Sequence, residues 1–229
     1  MSKFLKTIGS DAASTQAIIL LPDIWGLTNY ASHTAEMLSQ RYNSPCYILD
    51  YFYQLTGQTS NFDPHTDQTT ATALMAKLTG EDFIKIFQSA VYEIQKSQLE
   101  KLTVIGFCFG GRLAYLAGLS KTVIKIVSFY GAGAHSENYY QGKTPAEALC
   151  DARKADANLE VLSFYGTKDE SIPAEDQLKT AQEFQNAQIA YTAKQYPTGH
   201  AYFQEGRESY DREAAEKSWQ DLDVFLKNT

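Results

Sequence analysis

The feature that most constrains this chain is Gly106-Phe107-Cys108-Phe109-Gly110-Gly111, set between the apolar run 102–105 and a second apolar stretch at 113–119. It reads as strand, sharp turn and helix, with a thiol at the tip. A nucleophile on such a turn needs small residues two positions before and two after it, so that strand and helix can pack. Gly106 and Gly110 occupy those positions. A helix starting near Gly110 aims free N–H groups and its positive dipole end at the sulfur, which favours thiolate and can stabilise an oxyanion. Cys108 is therefore a candidate nucleophile. Taken alone, the six residues also fit an ordinary strand-to-helix turn with a small buried cysteine.

The rest of the chain alternates the same two signals. Short apolar runs at 17–21, 45–49, 101–107, 124–129, 161–165 and 189–196 read as strands, the first apolar throughout and so buried on both faces. Helical spacing covers 29–42, 71–78, 83–95, 145–153, 174–186 and 212–227, the last with Ala215, Trp219, Leu222 and Leu226 along one face. Gly80 divides the second helix from the third, and Asp82 is expected to cap the latter. A polar segment at 53–70 is long enough to suggest function, and is expected at the mouth of a site. Strands separated by helices imply an α/β fold, a mainly parallel sheet covered on both sides, with 1–229 forming one domain.

Twenty-seven acidic against 20 basic residues give a formal charge of −7, which opposes nucleic-acid and anionic-membrane partners. Small organic molecules are the expected partners of a monomer or homodimer. Cys46, Cys108 and Cys150 form no close pair and no metal-ligand spacing with the four histidines, so a reduced, cytoplasmic setting without metal is expected. Lys3 and Lys6 precede an apolar run too short for a signal peptide, and no run approaches a membrane span.

In sheets of this kind ligands gather at the carboxyl ends of the strands. Asp23, Ile24 and Trp25 lie just past the first run, Cys108 past the third, Asp169 past the fifth and His200 past the sixth. Nucleophile, acid and histidine thus occur in the chain order of an α/β-hydrolase triad. His33, His65 and His135 have no such context and receive no role.

With those residues in view, the chain resembles the dienelactone hydrolase family nearly end to end. The resemblance lies in Asp23-Ile24-Trp25-Gly26-Leu27, Leu49-Asp50-Tyr51-Phe52, the Gly106 to Gly111 turn, Tyr130-Gly131, Gly166-Thr167-Lys168-Asp169 and Gly199-His200-Ala201-Tyr202-Phe203. It implies an α/β-hydrolase fold and an esterase without cofactor. Cys108 would be the nucleophile, His200 the base and acid, Asp169 the group that orients the imidazole, and the backbone N–H groups of Ile24 and Phe109 the oxyanion hole. Asp23 stands where the family has a glutamate near the thiol. Gln54 and Gln204 stand where the best-known members carry arginines that grip a substrate carboxylate, and glutamine lacks the charged fork. The expected substrate is thus a neutral or weakly polar ester, lactone or thioester, met by Trp25, Tyr130 and Phe203. Two alternatives keep the same fold: a non-catalytic binder of small carbonyl compounds, and a thiol-based redox sensor.

Overall fold

The computed structural model describes residues 3–9 and 15–227. Among the described residues seven strands form one sheet: β1 (Leu5–Ile8), β2 (Gln16–Leu21), β3 (Cys46–Leu49), β4 (Lys101–Phe107), β5 (Val123–Phe129), β6 (Glu160–Gly166) and β7 (Ala190–Tyr196). Their spatial order is β1-β3-β2-β4-β5-β6-β7, and every pair is parallel except β1 with β3. The helices are α1 (Asn29–Tyr42), the single turn α2 (Tyr53–Thr56), α3 (Gln68–Lys77), α4 (Gly80–Gln95), α5 (Phe109–Ala117), α6 (Pro145–Ala152), α7 (Ala174–Ala187) and α8 (Arg212–Lys227). None of the described helices is long and apolar enough to cross a membrane.

The uninterrupted apolar character of β2 follows from its position. Ile19 and Leu21 enter a core shared with α4, α5, α6 and α7, whereas Ile18 and Leu20 enter a second core under α1 and α8. Alternate side chains of a strand point to opposite faces, so a strand covered twice has no polar side to show. Local chemistry sets the helix starts. Thr28 accepts the Ala31 N–H at the start of α1, and Thr144 with Glu147 forms a capping box around Pro145 at the start of α6. At α4 the cap is Thr79 and not Asp82: the Thr79 hydroxyl oxygen accepts the Asp82 N–H at 3.1 Å, and Asp82 sits in the first turn.

Strand β1 has no counterpart in the sequence reading. Its four residues, Leu-Lys-Thr-Ile, are too few and too polar to signal a strand, and it forms only by antiparallel pairing with β3, from Leu5 opposite Leu49 to Ile8 opposite Cys46.

Candidate active site

Cys108 follows β4 directly and adopts φ 54°, ψ −116°, a conformation that L-residues rarely take. Close packing enforces it. A Cβ on Gly106 would lie 2.1 Å from the Gly110 carbonyl oxygen, and one on Gly110 would lie 2.2 Å from the Leu21 carbonyl oxygen. Only glycine lets the turn sit this near to β2. The Cys108 N–H donates to the Phe129 carbonyl at 3.0 Å, and α5 begins at the next residue. Cys108 is partly exposed, in contrast to Cys46 and Cys150. Burial pushes the Cys46 thiol well up and the Cys150 thiol up to about 12.

The loop after β7 brings His200 to the same edge, and the turn after β6 brings Asp169. His200 Nδ1 lies 2.7 Å from Asp169 Oδ2, with the Asp169 side chain fully buried and that of His200 29% exposed. Asp169 Oδ1 accepts the Ser171 N–H at 2.9 Å, which fixes the carboxylate plane. Burial opposes a charge on His200. The hydrogen bond to Asp169 and the nearness of the Cys108 sulfur outweigh that burial and lift the imidazole to about 10. Imidazole and carboxylate are thus joined directly, at the strand edge that also carries the Cys108 sulfur.

A cleft of about 1130 Å³ opens over Cys108 and His200. One wall is the segment after β2. Asp23 Oδ1 accepts the Trp25 N–H at 3.0 Å, and Arg207 reaches Asp23 Oδ2 at 3.5 Å while its guanidinium lies 5.3 Å from the centre of the Trp25 ring. Burial raises the Asp23 carboxyl to about 6, against the Trp25 N–H and the Arg207 charge, which lower it. The polar segment adjoins this wall and extends it. Ser60 accepts the Leu27 N–H at 2.7 Å, Phe62 donates to the Trp25 carbonyl at 2.9 Å, and Asn61 pairs with Gly26. Buried Asp50, at the end of β3, holds this wall. Its Oδ2 accepts the Ser60 N–H and its Oδ1 the Ser60 hydroxyl, both at 2.7 Å, while Oδ1 also accepts the N–H groups of Phe52 and Tyr53.

Cys108, His200, Asp23, Ile24, Trp25 and Gln204 all line the cleft. The backbone N–H groups of Ile24 and Phe109 are engaged by no described residue. Three expected substrate contacts lie elsewhere. Gln54 is exposed on α2, away from the cleft lining. Tyr130 is buried, with its ring edge-on to His200 at 5.1 Å between centroids. Phe203 is buried in an aromatic cluster, tilted against Phe129 at 4.6 Å and Trp219 at 5.2 Å between ring centroids. Both aromatics follow strand ends, but the chain direction there turns their rings into the second core, which strand spacing does not reveal. Conversely, Arg207, Tyr30, Glu205 and Glu208 line the cleft without having been singled out as site residues. The signal for Arg207 was its place in the loop beyond His200, although no periodicity there gives a direction.

The strand order, with an elbow between β4 and α5 and later strands delivering acid and histidine, is that of the α/β-hydrolase fold. The crystal structure of the "Putative Dienelactone Hydrolase" from Klebsiella pneumoniae has the same fold, with a TM-score of 0.77 at 22% identity over 93% of this chain and 87% of that one. The model of the dienelactone hydrolase family matches residues 6–229, and the chain belongs to that family. A Synechocystis sp. relative described as "Putative carboxymethylenebutenolidase" is 27% identical over 212 residues, 89% of this chain and 82% of the relative. A Yersinia pestis relative of the same description is 34% identical over 132 residues, 56% of this chain and 48% of the relative, so that match spans about half of each.

Proposed function

We propose that the protein hydrolyses small uncharged carboxylic esters, lactones or thioesters through a Cys108-His200-Asp169 triad and a thioester acyl-enzyme. The observation that carries this reading is the 2.7 Å contact between His200 and Asp169, with His200 and the cysteine at the elbow lining the same cleft. An imidazole raised by an acid on one side and a sulfur on the other is suited to hold its proton beside a thiolate, the nucleophilic form of the residue.

In the proposed cycle the Cys108 thiolate attacks the carbonyl carbon, and the N–H groups of Ile24 and Phe109 receive the resulting oxyanion. The bond to the leaving oxygen breaks as His200 gives its proton to that oxygen. Water then loses a proton to His200 and adds to the thioester. The carbon–sulfur bond breaks, the acid product departs, and the thiolate-imidazolium pair is restored. Asp169 keeps the ring oriented and stabilises its charged form throughout.

The charge of the cleft supports an uncharged substrate. Asp23, Asp63, Asp67, Glu205 and Glu208 line it, and the cation Arg207 is already held by Asp23 and Trp25. An approaching anion would meet a net negative field. Hydrolysis of p-nitrophenyl acetate should therefore be lost in Cys108→Ala and His200→Ala, and p-nitrophenyl butyrate should be cleaved about tenfold more efficiently than the anionic monosuccinate ester, a difference that added salt reduces. Equal rates for wild type and both variants would overturn the triad. Preference for the monosuccinate would overturn the substrate class.

A further inference from the structure

The turn after β5 carries a cost that the proton relay does not explain. Tyr130 has φ 40°, a left-handed conformation that a bulky aromatic rarely adopts. Its ring is 1% exposed and lies between the His200 imidazole and the side chains of Phe107, Phe129 and Tyr202. Its hydroxyl oxygen is buried without a hydrogen-bond partner among the described residues. An unpaired buried O–H has given up water and gained nothing, and phenylalanine would fill the same space without that loss.

What surrounds the hydroxyl indicates its use. Tyr130 stands next to Cys108 at the strand ends, where Phe107 is the register partner of Phe129 and the Cys108 N–H donates to the Phe129 carbonyl, and the charges of Asp23 and Cys108 both bear on its hydroxyl. Burial drives the ionisation of Tyr130 well up, so the group stays a neutral O–H donor. Asp23 already has Trp25 on one carboxylate oxygen and Arg207 on the other. The sulfur is different, because its charge changes during turnover. It is neutral in the thioester and negative once the carbon–sulfur bond has broken. A fixed dipole beside it does little for the thioester and stabilises the departing thiolate, and only such a difference between states accelerates a step.

We propose that the Tyr130 hydroxyl is an electrostatic aid to deacylation, stabilising the Cys108 thiolate as it leaves the acyl group. The proposal rests on the acyl-enzyme reading above. In the step concerned, water gives a proton to His200 and its oxygen bonds to the acyl carbon. The carbon–sulfur bond then breaks with its electron pair remaining on sulfur, and the acid is released.

Tyr130→Phe keeps the ring and removes only the oxygen. In rapid-mixing experiments with p-nitrophenyl acetate it should release the first equivalent of p-nitrophenolate at least as fast as wild type. The steady phase should then run about tenfold slower, the effect of one lost polar interaction in the transition state. Intact mass after acid quench should show more acetylated Cys108 in the variant than in wild type. An unchanged steady phase, or equal slowing of both phases as a purely structural defect would give, overturns the role of the hydroxyl while leaving the acyl-enzyme standing. Wild-type protein that never carries acetyl on Cys108 overturns the acyl-enzyme reading and this proposal with it.

Discussion

The elbow at Cys108 and the wall formed by 57–67 border the same cleft, yet they are built in different ways. At the elbow, main chain packs on main chain: Gly106 against Gly110, and Gly110 against the Leu21 and Pro22 carbonyls, with no room for a methyl group. The wall is held at one end by hydrogen bonds from Ser60 to Asp50, while Gly57 has open space around it and Asp63, His65 and Thr66 are exposed. A position fixed by backbone contact cannot drift by a few tenths of an ångström without unpacking strand from helix. A wall held by a few polar contacts can. Chemistry that needs placement within hydrogen-bond reach is thus assigned to the first kind of structure, and contact with variable parts of a ligand to the second.

The sharpest test of this division lies with the relay. Asp169→Asn preserves shape but removes the charge that orients and stabilises the His200 imidazolium, and kcat should fall by about 10³ to 10⁴. The melting temperature should change far less than activity does, and a kcat within tenfold of wild type would remove Asp169 from the relay. Next comes the same small change made in both regions. Gly110→Ala places a methyl group against backbone carbonyls and should lower stability by about 1–3 kcal/mol, together with activity. Gly57→Ala meets nothing but must adopt φ 70°, and should cost about 1 kcal/mol with kcat unchanged. Urea unfolding of both variants reads the difference, and equal losses would break the comparison. The smallest effect concerns Asp23. Its carboxyl is raised from 3.8 to about 6, so its contribution to stability is complete below pH 3.8 and is lost as pH rises through about 6. Asp23→Asn should consequently melt a few degrees above wild type at pH 8, with the gap closing toward pH 4. A gap independent of pH would show that Asp23 ionisation is not coupled to folding.

The same contrast explains what could be read from the chain beforehand. The ranges 29–42, 101–107 and 212–227 coincide with α1, β4 and α8, because burial on one face or two imprints a period on the residues. Gly106, Cys108 and Gly110 announced the elbow because its constraint is steric and local. The segment 53–70 was expected at the mouth of a site, and its residues 61–65 and 67 do line the cleft. Side-chain direction in irregular backbone was not accessible. Nothing in the order of residues tells that Tyr130 and Phe203 turn inward while Arg207 turns over Trp25, since each direction depends on partners remote in sequence. Strand β1 was hidden for a related reason, because its pairing residues lie 38 or more positions away, as in Ile8 with Cys46.

The fastening of Ser60 to Asp50 has a consequence for how such a protein can diversify. Because the carboxylate at the end of β3 grips both the main chain and the side chain of Ser60, the span from Asn61 to Asp67 starts from a point tied to the sheet, whatever its own residues are. Lineages can therefore rewrite that span, and with it the range of acceptable molecules, while inheriting an intact bond-breaking apparatus. A library that randomises 61–67 and retains Asp50 and Ser60 would explore new selectivities from a scaffold that still folds.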